Sequence, residues 1–482
     1  MKVVATGVSE LRASDCRLDA SYHASEGVKA LRALRRWAKT PTQSVARGAL
    51  RESESIYATQ RLDRLDEVCK SGGIFIPSRF KRIFVDDAEH GAPYLTGGSI
   101  MQADPLMGAK LLSYKFTSNM AELAFRERMI LVTCSGTIGN SVYVNGNFKG
   151  AVGSPDLLRI EAEPDKIPPG YLYTFLSGPI GKALIEQKTY GAVVPHIEAH
   201  HVVDLPIPRL DAAIEERIHA LVERAASLRV EANKRLSQAR KKLEIEVGFF
   251  NPQKSFDHAF SIGKAKIDVS FGHRLDSFSY VGYTAEAIRA LENYTGRVIT
   301  APDAGFEIYN PPLFKRMFAD CGHPYMSGVE IYTLRPTTTR YLSRVQPEIE
   351  QYLVTEGMVL VQSAGQRYGL ITTPVLVTRM LNGVAATSDI VRIKHPDIIE
   401  NGYICTLLAS DFGRRLALRY SYGTSIPRLN VPEFSKIKIP WPDDGVRREI
   451  GQLTKQAYQQ RDEANALEDQ AQALLVEALG LR

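Results

Sequence analysis

The strongest constraint on this chain is that it states one plan twice. Gly170-Tyr171-Leu172-Tyr173-Thr174-Phe175-Leu176 returns as Gly402-Tyr403-Ile404-Cys405-Thr406-Leu407-Leu408, 232 residues later. At the same spacing Tyr190-Gly191 and Pro195 return as Tyr422-Gly423 and Pro427, Ile207-Pro208 as Ile439-Pro440, and Glu231-Ala232-Asn233 as Glu463-Ala464-Asn465. Upstream the spacing drifts, as loops of diverged copies would make it. Met129-Ile130-Leu131-Val132 matches Met358-Val359-Leu360-Val361. Phe80-Lys81-Arg82-Ile83-Phe84 matches Phe314-Lys315-Arg316-Met317-Phe318, and Arg17-Leu18-Asp19 matches Arg274-Leu275-Asp276. One such match could be chance; an ordered series is a duplication.

Each copy begins with a mixed region and closes on a long helix. Residues 212 to 247 contain no Gly and no Pro. Ile214, Ile218, Leu221, Ala225, Leu228 and Ala232 step as a heptad seam that slips by one residue at Leu236. In the second copy Ile450, Leu453, Ala457, Gln460, Ala464, Leu467, Ala471 and Leu474 keep the same rhythm. At ~1.5 Å per residue the first helix would span roughly 54 Å. It carries eight Lys/Arg against six Asp/Glu, and the second, from Val446 to Arg482, five against six. This complementarity suits an antiparallel pairing of the two helices, although each could instead lie on its own domain.

The 482 residues give room for about three units at ~150 residues each. Apolar residues at 44% and charged residues at 24% exclude a disordered chain, a collagen-like fibre and a disulfide miniprotein. A net charge of +6 permits a nucleic-acid partner without requiring one. The five cysteines, Cys16, Cys69, Cys134, Cys321 and Cys405, are scattered and form no CxxC pair, so a reducing cytoplasm is the simplest compartment. Val3 to Val8 is too short for a signal peptide, and no apolar run approaches the ~20 residues of a membrane span.

Two similar units on a helical rod suit a partner with regular spacing. Duplex DNA presents equivalent major-groove faces about every 34–36 Å. Diverged copies would read different half-sites of an asymmetric, two-part target.

The residues that carry a family resemblance lie at matching places. Met129-Ile130-Leu131-Val132 leads into Ser135-Gly136-Thr137-Ile138-Gly139. Tyr190 to Ile197 leads to Leu205-Pro206-Ile207-Pro208, and Tyr422 to Asn430 leads to Ile437-Lys438-Ile439-Pro440; a long helix follows each. In this order the chain resembles the specificity subunit of type I restriction–modification systems over nearly its whole length. It departs from that pattern at Pro208-Arg209-Leu210-Asp211 and Trp441-Pro442-Asp443-Asp444 before the helices. It departs again at Ser363 to Gly369, which stands in place of the GTIG turn.

The resemblance implies an α+β chain with two target-recognition domains in pseudo-twofold arrangement, separated by antiparallel coiled-coil helices. The expected boundaries are 1–210 and 249–442 for the recognition domains, and 211–248 and 443–482 for the helices. It implies a non-catalytic role in antiviral defence: recognition of double-stranded DNA, and docking of two methyltransferase subunits. Those partners would methylate adenine with S-adenosylmethionine, and restriction subunits would use ATP with magnesium. This chain would bind no cofactor itself. The seam residues Ile214, Ile218, Leu221, Leu228, Ile450, Leu453, Leu467 and Leu474 would form the subunit-interface helices.

Candidate DNA contacts follow from residue chemistry. Lys81-Arg82 and Lys315-Arg316 sit between aromatics in both copies and could neutralise phosphates or read guanine; otherwise they are solvated charges beside core rings. The extra stretch of copy one holds Arg32, Arg35, Arg36, Lys39, Arg47 and Arg51 around Trp37, without an acid between Arg32 and Arg51. It reads as a phosphate-contacting surface or a plain basic helix. Gln366 and Arg367 lie in a glycine-bounded turn equivalent to that of Ser135 and Thr137, where base readout competes with turn chemistry. His196 and Arg428 align after a shared proline, facing DNA or closing a structural turn.

Other chemistries fit less well. His196, His200 and His201 lack a further ligand set and a counterpart in copy two, which argues against metal. Asn310-Pro311-Pro312-Leu313 resembles the NPP-aromatic element of adenine methyltransferases, but its fourth residue is Leu313 and no glycine-rich cofactor loop accompanies it. There is no GxxxxGK[ST] loop and no nucleophile–His–Asp set. Two alternatives stay open. A coiled-coil adaptor for protein partners would bind insensitively to salt, and a fused adenine methyltransferase would bind S-adenosylmethionine on its own.

Overall fold

The computed structural model describes residues 25–39, 61–189, 196–250, 280, 282–367 and 369–480. Its strands, in the first half, are β1 (Arg61–Arg64), β2 (Cys69–Phe75), β3 (Phe84–Val85), β4 (Gly91–Leu95), β5 (Lys110–Ser113), β6 (Ile130–Thr133), β7 (Ser141–Tyr143), β8 (Val152–Gly153), β9 (Leu157–Ala162) and β10 (Pro206–Arg209). The second half carries β11 (Arg297–Thr300), β12 (Glu307–Tyr309), β13 (Phe318–Ala319), β14 (His323–Met326), β15 (Tyr341–Leu342), β16 (Val359–Gln362), β17 (Pro374–Leu376), β18 (Ala385–Ala386), β19 (Ile390–Lys394), β20 (Ser421–Tyr422), β21 (Arg428–Leu429) and β22 (Lys438–Trp441). Helices of eight or more residues are α1 (Glu26–Lys39), α2 (Pro169–Ser177), α3 (Pro179–Gln187), α4 (Ala212–Glu246), α5 (Gly282–Asn293), α6 (Ile398–Ala409), α7 (Asp411–Leu418) and α8 (Asp444–Ala478). The fold is α+β. The paired Arg17 and Arg274 segments and the Tyr190–Pro195 stretch lie outside the described residues.

The chain divides into two units. Unit 1 takes Met1–Met101, Ala109–Ser227 and Ala464–Arg482; unit 2 takes Gln102–Gly108 and Leu228–Glu463. Unit 1 holds sheets ordered β2-β9-β6-β7 and β3-β5-β4-β8, and unit 2 holds β12-β19-β16-β17 and β13-β15-β14-β18. In each second sheet one pair is parallel, β4 with β8 and β14 with β18. The order, direction and register therefore repeat, as the duplicated sequence requires.

The Ile-Pro elements have a structural reason. Among the described residues, Ile207 and Pro208 lie on β10, which pairs only with β1, and Ile439 and Pro440 lie on β22, which pairs only with β11. A two-stranded ribbon tolerates proline because no second neighbour needs its missing N–H. The freed carbonyls are used: Tyr171 donates its hydroxyl to Pro208 O and Tyr403 to Pro440 O, both at 2.5 Å.

Each unit also buries an arginine. Arg159 on β9 donates to the carbonyls of Leu157 (2.7 Å), Gly153 (3.1 Å), Leu123 and Ser154. Arg392 on β19 does the same to Ile390 (2.6 Å), Ala386 (2.9 Å), Thr387 and Tyr352. Each guanidinium thereby ties its unit's two four-stranded sheets together. Burial pushes both guanidinium groups down to about 10, so both stay cationic at neutral pH and act as fixed donors.

The helices after the sheets are set by local signals. Pro169 and Pro179 stand in the first turns of α2 and α3, where the missing N–H costs nothing. Asp397 caps α6 through Ile399 N, and Ser410 caps α7 through Gly413 N.

The long helices α4 and α8 follow the Gly- and Pro-free stretches. In unit 2, Gln460 donates to Glu231, Arg235 to Gln460 and Arg461 to Asn233, while Lys242 meets Glu449. As α4 advances from 231 to 242, α8 recedes from 461 to 449, so these segments run antiparallel. In unit 1, Ile218, Val222 and Ala226 share a core with Ala471, Leu475 and Leu479.

The buried stripe differs from the expected seam. On α4 it runs through Ile218, Val222, Ala225, Arg229, Ala232, half-buried Leu236, Ala239 and Leu243, a heptad rhythm with no slip at Leu236. On α8 it runs through Ile450, Thr454, Ala457, half-buried Arg461, Ala464, Glu468, Ala471 and Leu475. Ile214, Leu221, Leu453, Leu467 and Leu474 flank it half-buried, while Leu228 is buried. Polar residues at seam positions displaced the apolar reading by one place.

Candidate nucleic-acid interface

The candidate interface is the rim of the smaller sheet in each unit. In unit 1 the strand pairs are Phe84 with Leu112 and Tyr94 with Lys110. The ladder continues past the strand end: Ser113 N–H donates to Ile83 O and Tyr114 N–H to His90 O, both at 2.9 Å. Strand alternation then puts Lys110, Leu112 and Tyr114 on one face with Phe84. The Phe84 ring meets Tyr94 edge-on at 5.7 Å, and the Lys110 ammonium lies 5.5 Å from the Phe84 centroid. The Lys115 ammonium sits 5.5 Å over Phe116.

Phe84, Tyr114 (52% exposed) and Phe116 (57%) are all the large hydrophobic side chains that unit 1 exposes among the described residues. Arg79, Lys81 and Arg82 are exposed beside them and engage no partner among the described residues. Concentrating every exposed large apolar group on one cationic rim marks a contact surface rather than scatter. The acids of this sheet, Asp86, Asp87 and Glu89, are gathered in the β3–β4 turn, where Asp87 accepts from Glu89 N.

Unit 2 repeats the frame. Ser343 N–H donates to Met317 O at 2.8 Å, the counterpart of Ser113 and Ile83. Phe318 meets Tyr325 edge-on at 5.6 Å, and the Arg340 and Arg316 guanidinium groups lie 5.2 and 5.8 Å from the Tyr325 ring. Arg316 also donates to the Tyr325 hydroxyl at 3.2 Å. Lys315, Arg344, Leu313, Met317, Phe318 and Val345 (74%) are exposed. Gln346 turns inward instead. Its carboxamide accepts from Met317 N and donates to Lys315 O, holding the basic segment in place.

The Gly136-Thr137 turn and its counterpart form a second locus. Gly136 and Gly139 have φ of 74° and 83°, the left-handed region that glycine adopts without strain. Ser135 pairs with His196 as an antiparallel bridge, and the Ser135 hydroxyl is 2.7 Å from His196 Nδ1. Thr137 is exposed. In unit 2, Ala364 bridges Arg428 at the matching place. Gln366 donates to Ser425 O, Arg367 to Ser421 Oγ and Gly423 O, and Arg428 to Asp389 at 2.7 Å. These hydrogen bonds brace the turn, while Gln366 and Arg428 stay exposed at its surface.

The basic window is partly described. Arg35, Arg36 and Lys39 lie exposed on α1, whose Leu34 and Trp37 are buried. Arg47 and Arg51 lie outside the described residues. Of the histidines, His201 Nδ1 accepts from Glu198 N and His200 lies 3.3 Å from Glu198. No group of three His, Cys, Asp or Glu that could hold a metal occurs among the described residues. Cys69, Cys134 and Cys405 are buried, and desolvation pushes each thiol up to about 12. Leu313 of the Asn310-Pro311-Pro312 element is exposed on the rim. No described helix is long and apolar enough to cross a membrane.

Sequence reasoning passed over Tyr114, Lys115, Phe116, Arg344 and Val345, which carry much of the exposed rim. In unit 1 the signal is a cation between two aromatics directly after an apolar strand; Arg344 and Val345 carry no such signal.

Fold and rim together define a twice-repeated α+β protein with one cationic, aromatic edge per repeat. No family model and no curated protein matches the chain. Among solved structures it is similar to a type I restriction–modification S subunit from M. genitalium, at 14% identity over 92% of this chain and 97% of that one, with a TM-score of 0.32. It is also similar to the HsdS subunit from Thermoanaerobacter tengcongensis, at 16% identity over 87% and 96%, with a TM-score of 0.26.

Proposed function

We propose that this chain is the DNA-recognition subunit of a type I restriction–modification complex, reading a two-part asymmetric target with one unit per half-site. The observation that carries the reading is the repeated frame with a cationic, aromatic rim. Lys81 and Lys315 keep one charge position in both copies, as phosphate neutralisation requires, while neighbouring exposed positions differ, as distinct half-sites require. The motif resemblance supports the same role.

On this reading the chain performs no chemistry. Adenine methylation with S-adenosylmethionine and ATP- and magnesium-dependent cleavage belong to partner subunits in the cytoplasm, and two methyltransferase subunits dock on α4, α8 and adjoining surfaces. The recognition domains fall at 1–210 and 249–442. Arg35, Arg36, Lys81, Arg82, Lys315 and Arg316 contact phosphates, and Ser135, Thr137, His196, Gln366, Arg367 and Arg428 shape the adjoining turns.

The test is duplex binding by the intact chain in complex with its methyltransferase partner, titrated across salt. Phosphate-dominated binding gives a log–log slope of about −0.9 per neutralised phosphate. Salt-insensitive association with protein alone would instead favour the coiled-coil adaptor.

A further inference from the structure

Resting on the DNA-recognition reading, we infer that the residues just after β5 and β15 determine which base pair each half-site carries. The hydrogen bonds from Ser113 to Ile83 and from Ser343 to Met317 fix the equivalence of the two frames. In register, Tyr114-Lys115-Phe116 of unit 1 stands where unit 2 has Arg344-Val345-Gln346. The supporting residues are alike: Phe84 with Tyr94 and Phe318 with Tyr325, and a cation from Lys110 or Arg340 over the aromatic pair. Only the exposed tip changes chemistry.

At these tips unit 1 offers two exposed rings around Lys115, and unit 2 a guanidinium beside the exposed Val345. Arg344 is exposed and engages no partner among the described residues, whereas Arg316 and Arg340 are held by Tyr325 and Glu330. A free guanidinium matches the paired O6 and N7 acceptors of guanine. Exposed rings offer no paired donors to that edge. They suit apolar contact with a thymine methyl group. Unit 2 therefore reads a G·C pair through Arg344, and unit 1 reads an A·T pair through Tyr114 and Phe116.

The experiment selects binding sites from a randomised duplex library with the intact complex, using wild type, Arg344→Ala, Arg344→Lys and Phe116→Ala. Thermal melting of each variant at the wild-type temperature establishes folding, as exposed positions predict. Arg344→Ala should lower preference for one G·C pair about tenfold or more, in one half-site only, and Arg344→Lys, which keeps a donor but not the planar fork, should retain part of it. Phe116→Ala should likewise lower preference for one A·T pair in the other half-site. A G·C preference kept by Arg344→Ala, with affinity lowered alike for every sequence, would make Arg344 a phosphate contact and overturn the assignment. Two-part enrichment unchanged in all variants would overturn the inference and leave the DNA reading standing. No enrichment by wild type would overturn both.

Discussion

Gly170 donates its backbone N–H to Nδ1 of His219 at 3.1 Å, and the equivalent place in the second copy is filled by Gly402 against Gly451. The copies solved the same contact in two ways. In unit 1 the imidazole satisfies a donor in the first turn of α2, which has no side-chain cap. In unit 2 Asp397 caps α6, so the backbones can close on each other. A Cβ at Gly451 would lie 2.1 Å from Ile399 O. Gly451→Ala should therefore destabilise unit 2 by about 1–3 kcal/mol, read by urea denaturation.

The same contact makes unit 1 sensitive to pH. Burial pushes the His219 imidazole below its ordinary value, against nearby Glu223 and Glu216. The folded state then binds the proton less well than the unfolded chain. Stability is full above the ordinary imidazole value of ~6.5 and falls as pH drops below it. His219→Ala should cost about 1 kcal/mol at pH 7.5 and flatten the decline between pH 7 and 5. Thermal melting across that range checks both effects.

Arg159 and Arg392 should be among the costliest single residues to remove. Each variant to Met leaves buried carbonyls without a donor in the seam between sheets. A loss of about 3 kcal/mol or more is expected, since charged hydrogen bonds contribute roughly 1.5–3 kcal/mol each. Hydrogen exchange should show Arg159→Met loosening unit 1 and Arg392→Met loosening unit 2.

On the proposed reading, the charge positions shared by both copies, Lys81 and Lys315, should act alike on all DNA. Lys81→Ala combined with Lys315→Ala should reduce the salt slope by about 2 and weaken binding to every sequence similarly. A change in sequence preference would assign these lysines to base edges instead.

The duplication and the long helices were legible because they are written in repeats and in the absence of Gly and Pro. Half of the seam was not. Thr454, Arg461 and Glu468 occupy seam positions on α8, and Arg229 on α4, where periodicity searches count only apolar residues. Arg159 and Arg392 were invisible for a related reason: arginine is almost never fully buried, so a lone one inside an apolar strand draws no attention. The Ile-Pro elements were seen as markers, but the roles of Pro208 O and Pro440 O as tyrosine acceptors need the folded chain. Tyr114 and Phe116 look like core residues in sequence; only their exposure makes them part of a rim. Gln366 and Arg367 have the chemistry of base readout in sequence, yet their hydrogen bonds run to the 421–425 turn.

The central claim is that two equivalent frames read two half-sites. Selection from a randomised duplex library at near-physiological salt, with the proposed methyltransferase partner present, tests it most directly. The account predicts enrichment of an asymmetric two-part site with a fixed unread spacer. Enrichment of a single contiguous site, or none while the protein complex still forms, would contradict it.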